Sequence, residues 1–245
     1  MSIDVSDLWD KLLGAQPDPP GLLVLITAVI ALVVVGFRPL WRVARNAITI
    51  AHEGGHALIA VLTGRRLRGI RLHSDTSGLT LSAGRPSGPG MMLTLLAGYI
   101  APSLVGLAGA WLLGGNRITM LLWVAVLLLL LMLINIRNVF GAISIVVTTA
   151  IVLGISVYAS PQVQAAFAYA GVWFLLIGGV RPVGELQRLR SRGRMSESDA
   201  DQLGHLAHVP ALFFVGIFGL VNIAALVLGA FLLAGQWLPS VGSTP

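Results

Sequence analysis

Cysteine is absent from this 245-residue chain, which excludes disulfides, thiolate metal sites and thiol nucleophiles and leaves the redox compartment open. Any metal would have to be held by His, Asp or Glu. Lysine occurs once, at Lys11, so the net charge of +6 rests almost wholly on arginine. Charged residues make up 11% of the chain against 56% hydrophobic, and the mean hydropathy is +0.87, well above what a water-soluble core of this size requires. The arginines cluster between apolar segments instead of lining a groove, which reads as a topology signal and argues against nucleic acid as a partner. Repeats are absent, and the leucine run at residues 127–131 is ordinary membrane-helix composition. Residues 1–20 are acidic at Asp4, Asp7, Asp10 and Asp18 and have no basic start, so the segment is not expected to be a cleaved signal peptide.

What the chain does contain is apolar sequence in long runs. Residues 21–37, 46–63, 91–113, 118–134, 139–158, 164–180 and 209–233 are each helix candidates, separated by short Gly, Asn, Ser, Pro or Arg breaks. Crossing a hydrocarbon layer of about 30 Å takes roughly 20 helical residues. Residues 46–63 are short and polar for such a role, so six crossings are nearly as well supported as seven. The expectation is an all-α polytopic membrane protein with about six to seven transmembrane helices in the lipid bilayer. One membrane-embedded domain over residues 21–234 lies between the acidic segment 1–20 and a tail at 235–245.

Two hydrophilic stretches interrupt the series. Within residues 64–90, the alternating runs 67–73 and 79–83 flank Asp75-Thr76-Ser77-Gly78, which predicts a small β-hairpin. Residues 181–201 form a basic loop with Arg181, Arg188, Arg190, Arg192 and Arg194. Both loops fall on the side that collects most of the positive residues, which predicts that they are cytoplasmic; the side of the N-terminus stays open.

Inside the second apolar run stands Ala51-His52-Glu53-Gly54-Gly55-His56-Ala57, an H-E-x-x-H pattern. Its histidines are four residues apart and therefore share one helix face, where two imidazoles can ligate one zinc. Glu53 is adjacent to the first ligand, placed to take a proton from a water whose pKa zinc lowers to about 7. With five His and three Glu in the chain, the pattern would arise by accident in roughly one such sequence in a thousand. An intramembrane Glu and two His also cost free energy unless they meet a partner or a water-filled cavity. The competing reading is hydrogen bonding to neighbouring helices. Gly54 and Gly55 weaken the helix and either serve packing or admit a neighbouring helix or substrate.

The run AHEGGHALIAVLTGRRLRGIRLHSDTSGLTLS, followed by TLLAGYIAPSLVGL and SDADQLGHLAHVPALFFV, resembles the site-2-protease-like membrane zinc metallopeptidases, in their compact bacterial branch. The resemblance covers most of the chain. It implies that the histidine helix ends at a Thr-Gly stop and is followed by a hairpin and by a helix carrying Ala97, Gly98 and Tyr99. Site-2 proteases typically take a third ligand from a Leu-Asp-Gly triplet, and none occurs here. The resemblance points instead to Asp199 in Ser198-Asp199-Ala200, at the start of the last helix, with Ser196 as its cap. Placement for the helix dipole is the competing account of Asp199. Glu185 and Asp201 are reserve ligands, each otherwise a partner to nearby arginines.

Five other polar residues are weaker candidates. Asn135 and Asn138 flank Arg137 between two helices and either hydrogen-bond a substrate or cap helix ends. His205 and His208, near the last helix, lack a neighbouring carboxylate in metal-bridging order. His73 falls in the hairpin and is expected to be solvated. Pro102, Pro161 and Pro210 mark kinks or breaks in membrane helices.

The expected function is that of an intramembrane zinc metalloprotease acting on a membrane protein or peptide in the bacterial plasma membrane. Glu53 would be the catalytic residue, and His52, His56 and Asp199 the metal ligands. The hairpin is a candidate for holding an extended substrate by strand addition. A catalytically inactive membrane scaffold or binding protein derived from such a protease is the alternative, and a metal transporter a further rival. Substrate, regulation and oligomeric state are not encoded in any motif.

Overall fold

A computed structural model describes residues 14–193 and 197–235. Lys11, Arg194, Ser196, most of the acidic segment and nearly all of the C-terminal tail lie outside the described residues. The elements in order are α1 Gly21–Gly36, α2 Arg38–Leu62, β1 Arg66–Leu72, β2 Gly78–Ala83, α3 Pro89–Gly114, α4 Ile118–Asn135, α5 Val139–Tyr158, α6 Pro161–Ser191, α7 Asp199–Ala207 and α8 Ala211–Ala234. Five of them, α3, α4, α5, α6 and α8, are long and apolar enough to cross a membrane. A sixth span arises if α1 and α2, bent by 102° at their junction, count as one broken crossing. The lower of the two expected counts is therefore reached only with the bent pair. Several apolar helices of this kind make the chain an integral membrane protein.

The bend has identifiable causes. Phe37 is extended and Pro39 stands in the first turn of α2, where its missing N–H costs nothing but interrupts continuity with α1. The Arg181 guanidinium of α6 binds the Val35 carbonyl at the end of α1 and lies 4.7 Å over the Trp41 ring. Glu185 accepts from Arg181 Nε at 2.9 Å and from Trp41 Nε1 at 3.1 Å, and Arg45 stands 3.5 Å from its other oxygen. This cluster fastens both sides of the bend to α6. The other end of α2 stops as the sequence suggests: Gly64 has φ +75°, and the Gly64 and Arg65 amides bond the Val61 and Ala60 carbonyls at 3.0 and 2.8 Å. These are the paired bonds of a Schellman stop.

The core forms where small residues let helices approach. A Cβ on Gly109 would meet Val172 at 2.7 Å, and one on Gly106 would meet Leu176 at 3.0 Å, so α3 and α6 pack antiparallel through a seam of small residues. Pro102 lies inside α3 and removes the donor that would reach the Gly98 carbonyl. Asn222 of α8 donates to the adjacent Tyr99 carbonyl at 3.0 Å. Pro161 and Pro210 instead begin α6 and cap α8. The outward faces of α4 and α5 expose Leu127, Leu131, Ile134, Ile143 and Val147, as lipid-facing surface does.

The hairpin pairs β1 and β2 antiparallel, with Ile70 opposite Thr80 and Leu72 opposite Gly78. Its turn carries Thr76 at φ 67°. Hydrogen bonds from Ser77 hold the exposed Asp75 carboxyl below the usual carboxylate range. The free edge of β1 meets the α4–α5 connection: Ile70 forms a parallel bridge with Ile136, and the Arg137 amide bonds the Ile70 carbonyl at 2.9 Å.

Candidate metal centre

His52 and His56 sit one turn apart on α2, and their Nε2 atoms are 3.1 Å from each other. Asp199 comes to them from α7, its Oδ2 lying 3.4 Å from His52 Nε2 and 3.3 Å from His56 Nε2. The three donor atoms thus form a nearly equilateral triangle. Donors bound to one zinc at about 2.0–2.1 Å in tetrahedral geometry are about 3.3 to 3.4 Å apart. The residues present fit that ion: two imidazole nitrogens and one carboxylate oxygen on one side, with the fourth position contributed by none of them. His52, His56 and Asp199 form the metal-capable group found among the described residues.

The surroundings fix the donors. His56 Nδ1 is 2.7 Å from the Thr94 carbonyl of α3. A carbonyl only accepts, so Nδ1 carries a proton, and as a metal ligand the ring would present its Nε2 lone pair to the triangle. Gly98, one turn further along α3, forms the floor, since a Cβ there would overlap His56 and come within 2.7 Å of His52 Nε2. A Cβ on Gly55 would likewise overlap Ala101 and stand 2.9 Å from the Ala97 carbonyl, so α2 lies directly on α3. Tyr99 meets the His52 ring edge-on at 4.9 Å and stacks on Phe218 of α8.

Asp199 is free for this position because its neighbours take the other duties at the start of α7. Ser198 and Asp201 form a capping box, with the Asp201 amide donating to Ser198 Oγ at 3.3 Å and the Ser198 amide to Asp201 Oδ2 at 3.1 Å. Arg190 pairs with Asp201 as well. Burial pushes the Asp201 carboxyl up, but the hydrogen bonds from Arg190 and Ser198 outweigh it and hold the group below the usual range. Two expectations change here. The cap is Ser198, not Ser196, and Asp199 begins a separate short helix, because His208 turns left-handed at φ 56° and Pro210 restarts the chain as α8.

Of the reserve ligands, Asp201 is engaged by its cap and Arg190, and Glu185 by Arg181, Arg45 and Trp41. His205 and His208 lie at the far end of α7, and His73 is exposed in the hairpin turn, beside Ser77. Asn138 clamps the Leu72 backbone, donating to its carbonyl at 2.6 Å and accepting from its amide at 3.2 Å. It makes no helix-cap bond. Among the described residues, the Asn135 side chain bonds the Leu131 carbonyl one turn back, at 3.0 Å, and no other group.

Glu53 is 3% exposed and lies under β2. Thr80 Oγ1 donates to its Oε2 at 2.6 Å. A Cβ on Gly78 would overlap Oε1 and stand 2.6 Å from the carboxyl carbon. Sequence reasoning did not single out Thr80 or Thr94, and it named Ser198 only as the neighbour of Asp199. Only the strand alternation through Gly78, Thr80 and Ser82 hinted that β2 turns small and polar groups to one face.

A helical membrane domain that gathers an H-E-x-x-H pair and a distant aspartate at one point defines a membrane protein of the metallopeptidase type. The sequence profile of the Peptidase M50B-like family matches residues 25–229, and the chain belongs to that family, one of the site-2-protease kind. No curated protein and no solved structure was found to match it.

Proposed function

We propose that this protein is an intramembrane zinc metalloprotease that hydrolyses peptide bonds of membrane proteins or peptides. The single observation that carries the reading is the triangle of His52 Nε2, His56 Nε2 and Asp199 Oδ2, whose edges of 3.1 to 3.4 Å suit one tetrahedral ion. A zinc ion held there supplies a water of lowered pKa and a Lewis acid for the scissile carbonyl. Glu53 takes the proton from the attacking water and returns it to the leaving amine. Gly98 and the Ala97 backbone keep the floor of the site narrow, and Thr94 holds His56 in the tautomer a ligand needs.

A helical substrate has its carbonyls bonded internally and must unwind before cleavage. The outer edge of β2 is the candidate for holding the extended segment. Leu79 and Leu81 point away from the site and are half exposed, available to a substrate strand. The basic stretch expected as a loop over residues 181–201 is helical to Ser191, because α6 continues through Arg181, Arg188 and Arg190; its end and the hairpin are proposed to face the cytoplasm of a bacterial cell, on the charge asymmetry of the chain.

The test is zinc content and cleavage measured together on detergent-purified protein, for wild type and Glu53→Gln. One zinc per chain in both, with turnover only in wild type, is the expected result. Zinc in both with turnover in neither favours the inactive scaffold. A wild type that binds no zinc removes the proposal.

A further inference from the structure

We propose that Thr80 is a positioning residue for Glu53, holding the general base from a strand of the hairpin; the inference rests on the protease reading above. The inner face of β2 is inverted relative to ordinary half-buried strands. Gly78, Thr80 and Ser82 occupy one face by alternation, while Leu79 and Leu81, 45% and 43% exposed, occupy the other. An apolar inner face would bury hydrophobic surface; this one meets a carboxylate instead.

The contact is chemically one-sided. A threonine hydroxyl has a single proton, and Thr80 directs it at Glu53 Oε2 at 2.6 Å, with the Glu53 carbonyl a second acceptor at 3.2 Å. Oε1 receives no donor from the described residues. It lies against Gly78, where any side chain would overlap the carboxylate. One oxygen is therefore pinned and the other kept free of donors, the arrangement a base requires if it is to accept a proton without swinging between rotamers.

The hairpin that carries Thr80 is itself fixed at three places, one in its turn and two on β1. Thr49 of α2 donates to the Thr76 carbonyl at 2.8 Å, the α4–α5 connection bridges Ile70, and Asn138 clamps Leu72. Thr80 pairs with Ile70 in register, so its hydroxyl is referred to both α2 and the α4–α5 connection.

The experiment compares wild type, Thr80→Val, Thr80→Ser and Glu53→Gln, with quenched fluorescent β-casein as the cleavage probe and zinc content measured in parallel. Thr80→Val keeps the shape and removes the hydroxyl. It is expected to lower kcat about ten- to a hundredfold with KM changed less than about threefold and zinc unchanged, and Thr80→Ser to restore most of the rate. A valine variant with wild-type kcat overturns the proposal, and so does a serine variant as impaired as valine. An independent readout is the infrared carboxylate band of protein labelled with carbon-13 glutamate, assigned to Glu53 by its loss in Glu53→Gln. Thr80→Val should shift that band and Thr80→Ser should not; an unshifted band overturns the contact even without any turnover. A wild type that cuts nothing while the band shifts overturns the protease reading and leaves the Thr80 contact standing.

Discussion

Asp199 Oδ2 stands 3.3 Å from His56 Nε2, although four helices separate their elements along the chain. The carboxylate that the helix dipole would favour at the start of α7 is thereby spent on two imidazoles, and capping falls to Ser198 and Asp201.

Removing one corner of the triangle should remove the metal. His56→Ala and Asp199→Ala are each expected to lose the zinc that wild type carries, measured by elemental analysis after gel filtration. Glu185→Ala should keep it, because Glu185 fastens the α1–α2 bend and touches none of the three donors. Its loss should appear as a lower melting temperature instead, since Arg181 and Arg45 would be left without their carboxylate in partly buried surroundings. Zinc loss in Glu185→Ala would place the third ligand there.

Gly98→Ala tests the floor of the site without touching a donor atom. The added methyl would overlap His56 and come within 2.7 Å of His52 Nε2, and both rings are restrained, one by Thr94 and one by Tyr99. Zinc affinity in competition with a chelator should fall about 10- to 100-fold, the range seen when groups supporting metal ligands are disturbed. Gly171→Ala, on α6 with nothing within 4 Å of the added atom, serves as the control and should bind zinc as wild type does.

Much of this was legible in sequence because the signals were local. His52, Glu53 and His56 lie within two turns of one helix, the hairpin announced itself by alternation around Asp75-Thr76-Ser77-Gly78, and Gly64 marked its helix end. What sequence did not reveal depends on contacts between distant elements. Residues 46–63 appeared to be a short helix because Arg38, Arg42 and Arg45 make the preceding stretch polar, yet α2 runs from Arg38 to Leu62 and uses Arg45 in the Glu185 cluster. The junction at His208 to Pro210, which separates α7 from α8, was marked only at Pro210, as a kink or break, since no composition change marks a left-handed histidine. Asn138 read as a cap or a substrate contact; its partner, the Leu72 backbone, is 66 residues away.

Asn138 should matter to the hairpin and Asn135 should not. Asn138→Ala removes two hydrogen bonds to Leu72 and leaves a strand amide and carbonyl unpaired, a local cost of about 1–3 kcal/mol. Hydrogen exchange at the β1 amides should accelerate correspondingly, with zinc content unchanged because the ligands lie on α2 and α7. Asn135, whose side chain bonds Leu131 within its own helix, is the control, and Asn135→Ala should exchange like wild type; equal protection in both variants would refute the clamp.

Metal removal should loosen α7 more than any other element near the site. Without an ion, the three donors, 3.1 to 3.4 Å apart, lose the centre that would hold them together, and only the contacts between the two imidazoles and Asp199 remain. His52 and His56 share one long helix, and Thr94 and Tyr99 restrain their rings. Asp199 is carried by a nine-residue helix anchored by its capping box, by Arg190 and by the buried Ala200 and Leu203, so the mobility gained on metal loss falls on the shortest helix at the site. Protein stripped with 1,10-phenanthroline is expected to show faster hydrogen exchange in α7 and a lower melting temperature, while α2 stays protected. Zinc should restore both, because a ligand bound only by the native state stabilises it in proportion to its saturation. Magnesium should restore neither, since it seeks an octahedron of oxygens and finds two imidazoles and one carboxylate here.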